Sequence, residues 1–132
     1  MLSIDNDDNA NTLNKKKLLF VLRHAPYGSS LTKEAIDAIL ATSVYEQVLS
    51  VVFMDDGVLA LTKDQHSEQI EQKNIAKMLS AFPMYDISRL FVCATSLDAR
   101  GIDANAIDGN FTILAPNELQ QLLQQQDHLL SF

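Results

Sequence analysis

Leu18-Leu19-Phe20-Val21-Leu22 is the stretch of this sequence that most clearly indicates the fold, because it is short and apolar at every position. A strand that is buried on both faces of a parallel sheet has this pattern, whereas a strand with one face in water alternates apolar and polar residues. Pro26 and Gly28 interrupt the pattern soon afterwards. The stretch therefore predicts a first strand in a parallel sheet.

The sequence that follows alternates between helical and strand patterns. The predicted strands are Leu18–Leu22, Leu49–Met54, Arg89–Cys93, Phe111–Leu114 and His128–Phe132. The first predicted helix begins between Ser29 and Thr32 and extends to Val44, and the later helices are Glu68–Phe82, Ser96–Arg100 and Pro116–Gln124. A turn at Asp55–Gly57 and a short helical turn at Val58–Leu61 follow the second strand. This alternation predicts a flavodoxin-like three-layer α/β domain, in which a mostly parallel sheet of about five strands has helices on both faces.

Composition narrows the class of protein. The 17 acidic and 10 basic side chains give a net charge of −7, which argues against a nucleic-acid-binding surface built from this chain alone. No apolar run approaches the ~20 residues that cross a bilayer, so we expect no membrane contact. Residues 1–14 are acidic and rich in asparagine, unlike a signal peptide, and we predict a mobile tail over 1–16 and one domain over 17–132. These features favour a cytoplasmic protein.

The single cysteine, Cys93, lies where the third predicted strand ends. Backbone N–H groups at a helix start favour a reactive thiolate, but free cysteines also often pack as small apolar side chains, and the residues alone leave both interpretations open. Open α/β sheets place their sites at the carboxyl ends of strands. We therefore expect the loops 23–30, 55–59 and 93–97 to converge at one edge.

Other motifs carry weaker functional signals. Leu22-Arg23-His24-Ala25 resembles the Leu-Arg-His-Gly signature of histidine phosphatases, in which the histidine becomes phosphorylated. That chemistry needs a second histidine and further arginines, and neither His66 nor His128 has a suitable context, so an exposed or interface His24 is favoured.

The remaining polar motifs predict neither a cofactor nor a metal. The Gly28-Ser29-Ser30 turn lacks the lysine and the spaced glycines of a P-loop. Asp55 and Asp56 have no third ligand nearby in the sequence, which is typical of a solvated turn.

Several segments, in the same order along residues 17–132, resemble the DsrE/DsrF/DsrH-like family. They are Ala25–Gly28, Glu34–Ser43, Phe53–Val58, Leu79–Ile87 and Phe91–Leu97, followed by Arg100-Gly101. The similarity is to the C-type subunits of this family. It implies a cytoplasmic heterohexamer with TusB-like and TusD-like subunits, which receives persulfide sulfur from a TusA-like carrier and hands it to TusE for 2-thiolation of the tRNA wobble uridine. A DsrF-like subunit in dissimilatory sulfur oxidation is the alternative.

The resemblance also implies that the sulfur-carrying cysteine belongs to the D-type subunit, and that this chain is a non-catalytic partner. Cys93 occupies the corresponding loop and is the candidate residue for sulfur transfer in this chain. Phe91, Val92 and Ala94 make its surroundings apolar, which hides the sulfur. We therefore expect that Cys93 is not the main carrier. The chain departs from the family in its acidic tail and in Arg23-His24.

Overall fold

Five parallel strands form one sheet in the order β4-β3-β2-β1-β5. The computed structural model describes residues 15–45, 47–62, 70–107 and 109–132. The strands are β1 (Lys17–Leu22), β2 (Val48–Phe53), β3 (Leu90–Cys93), β4 (Thr112–Leu114) and β5 (His128–Ser131). The predicted parallel sheet is confirmed, including its last strand.

In the ranges that the structure describes, four α-helices connect these strands: α1 (Leu31–Thr42), α2 (Ile70–Ser80), α3 (Ala94–Ala99) and α4 (Pro116–Gln124). Short 3-10 helices lie at Asp55–Leu61, Phe82–Tyr85 and Ala104–Ala106. Pro116 begins α4, where its missing N–H costs nothing, and the Glu118 carboxylate accepts a hydrogen bond from the Ala115 amide at 2.8 Å.

The helices divide unequally between the two faces of the sheet. From β1 to β4, each strand lies beside the previous one, toward the same edge of the sheet. Right-handed crossovers therefore place the helices that connect these strands on one face, here called the first face. Its apolar cluster contains residues of α1, α2 and α3. The chain then returns to β5 beside β1, and α4 packs on the opposite, second face against Leu19, Val21 and Val52. The predicted three layers are therefore confirmed.

The register explains why β1 is apolar throughout. Its side chains alternate between the faces, so that Phe20 contributes to the cluster on the first face and Leu19 to the cluster on the second. Phe20 also stacks on Phe132, with ring centroids 6.0 Å apart. Both faces of β1 are buried, as the unbroken apolar run predicts.

Several predicted boundaries differ from the structure. α1 ends at Thr42, and Val44, predicted on its inner face, is 71% exposed and is a wrong assignment. After Thr42 the helical spacing is lost, because the Tyr45 amide donates to the Thr42 carbonyl three residues back, at 3.0 Å, rather than to the carbonyl four residues back. The helix after β3 starts at Ala94, directly behind the strand, rather than at Ser96.

The segments before and after α2 also differ from the prediction. The turn and the helical turn predicted after β2 form one 3-10 helix, Asp55–Leu61. α2 ends at Ser80, before the 3-10 helix that contains Pro83, and its predicted start at Glu68 lies outside the described residues. Residues 1–14 of the tail predicted over 1–16 lie outside them as well, and so does His66. None of the described helices combines the length and the apolar character needed to cross a membrane.

Candidate functional site

The loops after β1, β2 and β3 meet at the carboxyl edge of the sheet, as predicted. The Arg23 Nε donates to the Asp55 carboxylate at 2.8 Å and joins the first loop to the second. The Asp55 amide donates to the Ser96 Oγ at 2.8 Å and joins the second loop to α3. The Arg100 Nη2 lies 2.9 Å from the Asp56 carboxylate. These five residues, Arg23, Asp55, Asp56, Ser96 and Arg100, are called the strand-end cluster below.

The backbone of Asp55 and the side chain of Arg100 shape the middle of the strand-end cluster. Asp55 has a φ of 52°, in the left-handed region that aspartate adopts more readily than most residues. Arg100 follows α3 and also donates from Nη1 to the Ser96 carbonyl at 3.1 Å. The short helix that follows Cys93 is therefore fixed to the loop after β2.

The carboxylates of the strand-end cluster are engaged by arginines. Asp55 and Asp56 were predicted to form a solvated turn; their side chains are 42% and 59% exposed, and each also forms an ion pair, with Arg23 and Arg100 respectively. In the part of the chain that the structure describes, no three His, Cys, Asp or Glu side chains come together as a metal site would require. The sequence carried no signal for these pairs beyond the signs of the charges, because their members are 32 and 44 residues apart.

Cys93 is the last residue of β3 and is only 5% exposed. Its side chain belongs to the cluster on the second face, among residues of β1, β2, β4 and α4 such as Leu19, Val52, Leu114 and Leu119. Although it is the N-cap residue of α3, its side chain makes no capping hydrogen bond to that helix. The thiol is therefore placed as a packed apolar side chain rather than on the open edge of the site.

His24 is exposed at the carboxyl edge of the sheet. His128 begins β5 in register with Leu18, at the amino-terminal end of β1. The fold thus holds these two histidines at opposite ends of the sheet, while His66 is outside the described residues. The arrangement does not bring His24 and His128 into one phosphoryl pocket.

The turn Gly28-Ser29-Ser30 is used to start α1. The Ser30 hydroxyl donates to the Glu34 carboxylate, and the Thr32 hydroxyl donates to the Ala25 carbonyl at 3.2 Å. A carboxylate in the first turn already complements the positive end of the helix dipole. The turn therefore has the features of a helix start, and the negative charge of Glu34 beside it disfavours a phosphate group.

The chain is similar in sequence and in structure to known proteins. The sequence profile of the DsrE/DsrF-like family matches residues 16–132. The chain is 38% identical over 116 residues to the "Protein TusC homolog" of Vibrio parahaemolyticus serotype O3:K6, which is 88% of this chain and 98% of that protein. It is 37% identical to the homolog of Vibrio vulnificus strain YJ016 over the same shares. The crystal structure of the ychN protein from E. coli matches with a TM-score of 0.70 at 26% identity, covering 89% of this chain and 99% of that chain.

Proposed function

Since the chain belongs to the DsrE/DsrF-like family and is a sulfur-relay subunit of the TusC type, we propose that it serves 2-thiolation of the tRNA wobble uridine. It works in the cytoplasm in a heterohexamer with TusB-like and TusD-like subunits. A TusA-like carrier delivers persulfide sulfur to this complex, and TusE receives it. The observation that carries the proposal is the match to relatives named as TusC homologs over 98% of their length.

In this relay the chain is a non-catalytic subunit, and Cys93 is not the sulfur carrier. Persulfide transfer requires a thiolate to attack the terminal sulfur of the donor persulfide, after which the sulfur–sulfur bond breaks and the donor leaves as a thiolate. The attacking sulfur atom must therefore be reached by a partner protein. The 5% exposure of Cys93, and its position under α4, support a packing role for this thiol.

The strand-end cluster supports the same assignment. A carrier cysteine must meet a donor and then an acceptor, and the segments of a protein that move are drawn from its less stable parts. Here the segment that follows Cys93 is tied by Ser96 and Arg100 to the loop after β2. This favours a subunit that holds a fixed shape for its neighbours.

The role of Cys93 is tested by sulfur delivery through the assembled complex. The variant Cys93→Ala keeps a small apolar side chain at this position and should assemble as the wild type does. We expect sulfur transfer from the TusA-like donor to TusE at the wild-type rate, measured from the mass of persulfidated TusE. A complete loss of transfer by an intact variant complex would show that Cys93 carries the sulfur.

The pathway is tested in cells. Deletion of the gene should abolish 2-thiouridine in tRNA, measured by mass spectrometry of tRNA nucleosides, and the gene for Cys93→Ala should restore it. A DsrF-like role in sulfur oxidation shares the fold and predicts the opposite result. Unchanged 2-thiouridine in the deletion strain would overturn the tRNA assignment.

A further inference from the structure

The second face of the sheet is incompletely covered by the described residues. α4 spans nine residues, and its Leu119 and Leu122 pack over the middle of this face. Toward β3 and β4, Phe91 is only half-buried and its neighbour in register, Thr112, is exposed. Parallel sheets occur almost entirely with both faces covered, so an open region on one of them requires an explanation.

Arg89 stands at the edge of this open region in a fixed orientation. Its Nε donates to the Ser50 Oγ at 2.7 Å, and Ser50 is fully buried on the second face. Its guanidinium carbon lies 5.6 Å from the centroid of the Phe91 ring, within the range of a cation–π contact. The guanidinium is therefore held beside the exposed part of the sheet before any partner arrives.

The charge of Arg89 is the second sign of a missing partner. Arg23 and Arg100 each form an ion pair with an aspartate. Within the described ranges, Arg89 has no carboxylate at ion-pair distance, although the chain carries a net charge of −7. Arginine and aromatic side chains are enriched at the centres of protein interfaces, where arginine binds carboxylates through two parallel hydrogen bonds.

We propose that Arg89, Phe91 and Thr112 form the docking surface for a sister subunit of the relay complex. The partner places an aspartate or glutamate carboxylate on Arg89 and an apolar side chain against Phe91. This inference rests on the proposed function, because membership of a heteromeric complex supplies the partner. A second copy of this chain fits less well, since a two-fold contact through this surface would bring two Arg89 side chains together.

The test compares two charge reversals in the purified complex. Arg89→Glu should weaken the affinity of the chain for its sister subunit by about tenfold or more. Lys33→Glu makes the same change of charge at an exposed position of α1, on the other layer, and should leave the affinity unchanged. Arg89→Lys keeps the charge but loses the paired hydrogen bonds, so the loss of affinity should be intermediate. This variant replaces Arg89→Glu in the test if the charge reversal prevents folding. Wild-type affinity in both Arg89 variants would overturn the docking surface.

A cross-link identifies the occupant. With p-benzoylphenylalanine in place of Thr112, irradiation of the purified complex should join this chain to a TusB-like or TusD-like subunit. Cross-linking to a second copy, to residues 1–14 of the same chain, or to nothing in an intact complex would overturn the inference. If the wild-type chain is isolated from its own cells as a lone monomer, the proposed function itself fails and the docking surface with it. If the wild-type chain forms the complex and Arg89→Glu binds the sister subunit with the same affinity, only the docking surface is overturned.

Discussion

Gly57 lies so close to the end of β1 that a Cβ atom on it would sit 2.0 Å from the carbonyl oxygen of Leu22. The same oxygen accepts a hydrogen bond from the Met54 amide at 3.0 Å. The loop after β2 thus folds tightly over the end of β1 and places Asp55 and Asp56 beside the loops that contain Arg23 and Arg100. The strand-end cluster depends on this close approach between two neighbouring strands.

Gly57→Ala should lower the free energy of unfolding by about 3 kcal/mol, because the new methyl group meets backbone atoms that have little room to move. Urea denaturation followed by circular dichroism measures the loss. Gly28→Ala is the matched control: its φ of 86° is strained for alanine, but a Cβ there meets nothing within 4 Å. It should cost only about 1 kcal/mol. Equal losses in the two variants would contradict the steric explanation.

Arg100→Ala should destabilise the fold more than Arg23→Ala does. The Arg100 side chain is 27% exposed and bonds both to Asp56 and to the Ser96 carbonyl, whereas that of Arg23 is 54% exposed and has one partner. Exposed ion pairs contribute little, so we expect about 1 kcal/mol for Arg100 and about 0.3 kcal/mol for Arg23. Urea denaturation at low and high salt measures both, and the reverse order would argue against the proposed anchoring of α3.

The Cys93 thiol should react with Ellman's reagent on the order of a hundredfold more slowly in the folded chain than in urea, because reaction requires local opening. The matched control moves the thiol two positions along the chain, from the end of β3 into the first turn of α3, by combining Cys93→Ala with Thr95→Cys, since Thr95 is exposed. This second thiol should react at the rate of a free one. Similar rates for the two thiols would show that Cys93 is accessible.

The isolated chain should not hydrolyse p-nitrophenyl phosphate, because His24 and His128 lie at opposite ends of the sheet. Release of nitrophenol measures the activity, and the buffer alone and a His24→Ala variant are the controls. Hydrolysis that the wild type shows and His24→Ala lacks would revive the phosphatase interpretation.

The elements of the fold were predictable where the pattern is strong and local. The apolar run of β1 identified a strand buried on both faces, and Pro116 with the apolar spacing after it identified α4 with its observed bounds. Boundaries were harder to predict, because they depend on single contacts. Val44 continues an apolar pattern, yet the chain turns after Thr42, where the Tyr45 amide bonds the Thr42 carbonyl, and the helix ends before Val44.

The site was only partly predictable. The convergence of the three loops follows from the rule for parallel strands, and the rule needs only the order of strands and helices. The contacts within the strand-end cluster do not follow from it. No ion-pair partner was predicted from the sequence for Arg23 or Arg100, and both gain their partners through the fold.

The sequence by itself determined that this is a parallel α/β domain of the DsrE/DsrF-like family, because periodicity and motif order are properties of neighbouring residues. Only the tertiary structure decided the order of the strands, the burial of Cys93 under α4 and the hydrogen bond that holds Arg89 to Ser50. Each of these depends on contacts between segments far apart in the chain. Such contacts form when the whole core packs, so no local pattern in the sequence specifies them.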